Sequence, residues 1–186
     1  MDDLRLVFTE KELSKEKCTI LSADRAGALE LEKQKVVEIS PGIVKDEEKI
    51  ARQIFSPIHY DEELDEIVAA AFHDVKDKGL SVNRLNHASE EDVHHAGLAK
   101  AEKDRISKPN RKYIGFCQTD VEEVRLISEG DIRIFAVYDS ALPEAIHHAD
   151  ICQIMHEQID ANLPKKVANL NRRTILQEKF CLLIKH

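Results

Sequence analysis

Apolar positions recur along this chain at two spacings, and each spacing predicts a different kind of element. Near the start, short runs at Leu4–Phe8, Cys18–Ser22, Ala28–Glu32 and Lys35–Ser40 read as strands separated by turns. The last run carries Val36, Val37 and Ile39 and stops at Pro41-Gly42, a turn signal. A helix is expected from about Asp46 to Phe55, ended by Ser56-Pro57, because the residue before a proline avoids helical geometry. Asp61 then reads as a helix N-cap. Leu64, Ile67, Val68, Ala71, Phe72 and Val75 follow at amphipathic spacing, and Gly79 closes the helix.

The middle of the chain alternates. Leu80–Leu85 predicts a strand. Ser89 with Asp92 resembles a capping box for a helix over about 89–105, weakened at Gly97. Tyr113–Cys117 predicts a strand, and Thr119 with Glu122 a cap for a short helix carrying Val121, Val124 and Ile127. Asp131–Tyr138 predicts another strand. Pro143 suits the first turn of a helix running to about Ala161, and Pro164 separates it from a last helix over about 165–184.

These elements predict a single α+β domain over 1–186, with a mixed or antiparallel sheet flanked by amphipathic helices. Its first part (about 1–45) should be strand-rich and its last part (about 143–186) helical. Regular βαβ repetition is too weak for a doubly wound sheet.

Charge adds a second layer. The chain holds 27 Lys and Arg against 35 Asp and Glu, a formal net charge of −8, so its whole surface is not expected to grip nucleic acid. The charge is segregated: residues 100–112 carry +4 and residues 163–186 carry +5. Such asymmetry can mark an anionic partner. The simpler reading is the solvated face of two helices, since no aromatic residues interleave with the first basic run to stack bases. No apolar stretch approaches the ~18 residues needed to span a bilayer, so no membrane association is expected. The acidic start Met1-Asp2-Asp3 lacks the apolar core of a secretory signal. Cys18, Cys117, Cys152 and Cys181 form no C-x-x-C pair and read as reduced thiols, which suggests a cytoplasmic protein.

No phosphate-loop, dinucleotide-binding, nucleophile-elbow or H-E-x-x-H signature occurs, and no cofactor is implied. Candidate chemistry rests on histidines and arginines. His59 and Tyr60 sit in a connection between two expected helices and offer an acid/base pair. Arg84 shares a strand face with Leu80 and Val82, so it must find a carboxylate or an anionic ligand; Arg52 and Arg133 pose the same question. His148, Cys152 and His156 are spaced four apart. On a helix, neighbouring members could chelate one metal ion, but the outer two lie about 12 Å apart, so a core-facing stripe is the better reading. His94-His95 with Asp92 reads as a solvated helix flank. Cys117, before an expected helix start, is a remote candidate nucleophile.

Two functional expectations follow. One is a binding or regulatory domain whose Lys165, Lys166, Arg172 and Arg173 contact an anionic partner. The other is an enzyme acting on a phosphorylated or nucleotide ligand, held by Arg52 and Arg84, with His59 or His148 moving the proton. A third class, an interaction partner that pairs an apolar surface, is also open. The first two differ in geometry: an enzyme should gather Arg52, His59, Arg84 and His148 around one hollow.

Overall fold

The computed structural model describes residues 2–156, 162–180 and 182–186. Six strands form one antiparallel sheet: β1 (Lys49–Ser56), β2 (Leu80–Arg84), β3 (Lys112–Asp120), β4 (Phe135–Tyr138), β5 (His148–Gln153) and β6 (Leu182–Lys185). Their spatial order is β6-β3-β1-β2-β5-β4, so β1 sits inside the sheet between β3 and β2. The helices are α1 (Asp2–Thr9), α2 (Lys17–Ala23), α3 (Arg25–Glu32), α4 (Glu90–Asp104), α5 (Val121–Arg125) and α6 (Lys165–Lys179). A 3₁₀ stretch at Ala69–Lys76 precedes β2. The architecture is α+β, and the sheet is antiparallel throughout.

Both sheet faces are covered. On one, Ile50 and Ile54 join Val82, Cys117 and Ile151 beneath Phe72, Val124, Leu176 and Phe180. On the other, α1–α3 cover Ala136, Tyr138 and Cys152 with Leu4, Val7, Cys18, Leu21 and Leu31. Beside them, α4 sets Val93 over Ala51 and Phe116. This double burial explains several departures from the sequence reading. In a strand, residues four apart share a face, as they also do on a helix. Ile50 and Ile54 therefore suggest a helix over 46–55 but form part of β1. The same ambiguity converts the helix expected over 143–161 into β5, whose residues are buried on both faces apart from half-buried His148. Residues 157–161 of that expectation lie outside the described residues.

The strand-rich start is also overturned. The pairs Leu4/Val7, Cys18/Leu21 and Ala28/Leu31 are one helical turn apart, and they fill the contact of three short helices with the sheet. The amphipathic helix expected from Asp61 is absent. The chain instead pairs Tyr60–Asp61 with Glu66–Ile67, turning at Asp65 (φ 56°), and leaves Leu64 67% exposed. Its second half, Ala71, Phe72 and Val75, fills the core from the 3₁₀ stretch, with half-buried Ile67 packed against it. Thr119 lies within β3 rather than capping α5. The last helix stops at Lys179, and β6 follows. The elements foreseen at Leu80–Leu85, 89–105 and Tyr113–Cys117 are present, including both hydrogen bonds of the Ser89/Asp92 capping box.

Buried charges pin these layers. Glu32, at the end of α3, accepts from Arg125 Nε (2.9 Å), Arg133 Nη2 (2.5 Å) and the Val137 N–H (2.7 Å). Arg133 also donates to the Phe135 carbonyl at 2.6 Å. The exposed margin of β4 is thereby closed by side chains. Replacing Glu32 by Ala leaves the half-buried Arg133 guanidinium without a carboxylate and the Val137 N–H without an acceptor, while Arg125 keeps Asp46, and should cost about 3–5 kcal/mol by urea unfolding. A loss below about 1 kcal/mol would mean that the three donors are already satisfied by water.

Candidate functional site

At the far end of β1 the sheet opens. The β1/β2 ladder holds only Ile50↔Arg84 and Ala51↔Asn83. Beyond it, Arg52 donates to the Ser81 and Ala71 carbonyls, each at 3.0 Å. This buried guanidinium has no carboxylate within ion-pair distance among the described residues, and its Nε lacks a partner. Two buried carbonyls offset its desolvation only in part, so its positive charge projects into the surroundings.

Beyond Arg52 the chain turns through Ser56-Pro57. His59 donates its backbone N–H to the Phe55 carbonyl at 2.8 Å, which brings its ring back over the strand. The Phe55 N–H in turn donates to His59 Nδ1 at 3.4 Å, a geometry that suits the uncharged ring. Burial, then the charges of Arg52 and Arg111, with a smaller contribution from Lys100, push His59 down to about 3. Arg111 arrives from the loop before β3 and lies 4.0 Å over the Phe55 ring, which also meets the rings of His59 at 5.8 Å and Tyr113 at 5.5 Å. Lys100 projects from the last turns of α4. A single carboxylate, Asp104, meets Arg111 at 2.5 Å and Lys108 at 3.7 Å.

Gly97 sets how closely α4 approaches. A Cβ there would fall 2.3–2.6 Å from ring atoms of Tyr113. The glycine that weakens the helix in isolation lets α4 lie flat on β3. Tyr113 then reaches His94 Nδ1 at 3.1 Å, and burial pushes its hydroxyl well above the usual phenol range. His186 packs against the same pair.

Beside this end lies an open hollow of about 690 Å³, bounded by Ser56, Pro57, Tyr60, Asn110 and Lys112 and by the turn Asp61–Glu63. Two of its three acids are engaged: Asp61 accepts from the Glu63 and Leu64 N–H groups, and Glu62 from the Ser56 hydroxyl. Tyr60 donates to Asp65, with Lys185 over its ring.

The other sequence candidates are placed elsewhere. Arg84 is 1% exposed and paired bidentately with Glu48 (both contacts 2.7 Å), and it also donates to the Gly42 and Ile43 carbonyls. His148 lies on β5, with Nδ1 2.8 Å from the Ser140 carbonyl and Nε2 3.9 Å from Asp150. Asp150 is fully buried and bonded to Lys17 of α2. Burial alone would raise its carboxyl, but the Lys17 ammonium and His148 hold it below the usual range. Arg172 is bound bidentately to Glu129, Arg173 contacts His73, and Lys165 and Lys166 are exposed at the start of α6.

The helical premise of the metal candidates is corrected. His148 and Cys152 stand on a strand, about 13 Å apart along it, and His156 lies past its end. Among the described residues no three His, Cys, Asp or Glu side chains are grouped to hold an ion. Cys117 is a buried mid-strand thiol near the Arg52 carbonyl. Arg52 and His59 thus share one neighbourhood. Lys100 and Arg111, which complete it, come from the basic run at 100–112 that reads in sequence as a solvated surface.

Among the described residues no helix is long and apolar enough to cross a membrane. Compared with family models, curated proteins and solved structures, the chain matches none.

Two measurements test this geometry. Gly97→Ala should destabilise the fold by about 1–3 kcal/mol in urea unfolding despite alanine's better helix propensity, because the methyl group meets the Tyr113 ring. A stabilised variant would mean that α4 is free to shift. His59 binds fewer protons folded than unfolded between about pH 3 and 6.5, so its contribution destabilises the fold as pH falls through that window. The gap in stability between wild type and His59→Gln should change by up to about 1.4 kcal/mol per pH unit there. A pH-independent gap would place His59 in water.

Proposed function

We propose that this protein is a binding domain for an anionic, phosphorylated ligand, held at the end of β1 beside the open hollow. One observation supports this reading above the rest. Arg52, Lys100 and Arg111 gather around an uncharged His59, and the one carboxylate paired with Arg111, Asp104, is shared with Lys108. Folding a chain of negative net charge so that cations crowd together costs stability, and an incoming anion relieves that cost. Arg111 presents a planar fork to a phosphate, already oriented by the Phe55 ring beneath it. Lys112, on the wall of the hollow, extends the cationic edge. The exposed Glu63 and the turn around it suit hydrogen-bond donors at a ligand's other end, as the base and sugar of a nucleotide provide.

Binding is favoured over catalysis by the state of His59. A group pushed down to about 3 is too weak a base to accept a proton near neutrality. It serves as a neutral hydrogen-bonding group. The basic α6 is a weaker anchor, because Arg172 is spent on Glu129 and Lys179 pairs with Glu123.

Titration with ATP, followed by calorimetry and by histidine NMR, tests the proposal. Binding should be saturable, and weaker at 200 mM than at 50 mM salt. Arg111→Gln and Lys100→Ala should each reduce affinity by about 5–30-fold, while Lys165→Ala should leave it unchanged. Bound ligand should also raise the His59 pKa, since an anion favours the imidazolium. Absence of binding at 50 mM salt, or equal affinity in the Arg111 variant, would overturn the assignment.

A further inference from the structure

Cys18 and Cys152 are 134 positions apart in sequence, yet their side chains meet in the core. Cys18 lies in the first turn of α2 and Cys152 near the end of β5. Both are 0% exposed and belong to one buried cluster between α1–α3 and the sheet. Their backbones are held in place independently. The Cys18 N–H donates to the Asp77 carbonyl at 2.8 Å, and two residues on, Gly79 packs so tightly that a Cβ would fall 3.2 Å from Cys152 Sγ. Next to Cys18, Lys17 is bonded to Asp150, two residues before Cys152. The contact of α2 with β5 is thus fixed on both sides of the thiol pair.

We propose that Cys18 and Cys152 are a redox-responsive dithiol that closes to a disulfide, stapling the α1–α3 layer to the sheet. The oxidant is a low-molecular-weight disulfide. One cysteine, as thiolate, attacks a sulfur of that molecule; its S–S bond breaks and one small thiolate leaves. The second cysteine, deprotonated in turn, attacks the resulting mixed disulfide. The protein S–S bond forms and the second small thiolate leaves. The two protein thiols are oxidised, the small disulfide is reduced to two thiols, and the two protons end on those thiols.

In the closed fold the reaction is held back. Burial pushes the Cys152 thiol well above the ordinary range, so it stays protonated, and neither sulfur is open to solvent. Oxidation therefore requires α2 to lift from β5, and it reports that opening. Once formed, the bond closes a loop spanning most of the chain, and the chain-entropy model assigns such loops the larger stabilisations.

The test refolds the full chain from denaturant in oxidised and reduced glutathione, so that access does not limit the reaction. Peptide mapping under non-reducing conditions should find a Cys18–Cys152 link in a monomer with native circular dichroism. Its Tm should lie about 5–15 °C above that of the reduced protein, and dithiothreitol should reverse the shift. Cys117→Ala should retain the link; Cys18→Ala and Cys152→Ala should each lose it. For the native protein, sub-denaturing urea should accelerate the same oxidation. Glutathione adducts alone, links through Cys117 or Cys181, or a linked species with a lower Tm would each overturn the proposal.

Discussion

A sheet covered on both faces cuts the charges at its centre off from water, and the rest of this structure follows from how those buried charges are met. Four carboxylates do most of the work: Glu32 with Arg125 and Arg133, Glu48 with Arg84, Asp150 with Lys17, and Glu129 with Arg172. Each joins an outer element or loop to the sheet or to its neighbour. A pair of this kind adds little net stability, because desolvation offsets attraction, but breaking it is costly. Its main effect is to fix which layer lies where. Arg52 departs from this scheme. It plugs the split between β1 and β2 with carbonyl partners, and its surplus charge shapes the end of the sheet where the binding site is proposed.

Local signals in the sequence are legible where one segment decides its own structure. Ser89 and Asp92 satisfy each other's backbone whatever lies above them, and LSVNRL alternates because β2 has one polar face along Ser81 and Asn83. The reading fails where burial on both sides erases alternation. In β5, Ala149 and Ile151 meet one core while Cys152 meets the other, so no period survives. The short helices α1–α3 are missed for the opposite reason: each buries two or three residues, too few to separate a helical turn from a short strand.

The site is legible only in fragments. Arg84 on an apolar strand face correctly signals a need for a partner, but sequence cannot say that Glu48, from the loop 36 positions earlier, fills it. His59 stands out as a loop histidine. Its companions Lys100 and Arg111 come from a charged run of ordinary composition, and only the fold brings them near its ring. Gly97 carries a similar lesson. By propensity it is a defect in α4; in the fold it is the clearance that admits the Tyr113 ring.

The blocked margin of β4 has a consequence for the protein's behaviour at high concentration. To add a foreign strand there, Glu32 must release the Val137 N–H and Arg133 must release the Phe135 carbonyl, both of them charge-assisted hydrogen bonds. Fibril-like growth from this side therefore carries a barrier built from electrostatics rather than from shape.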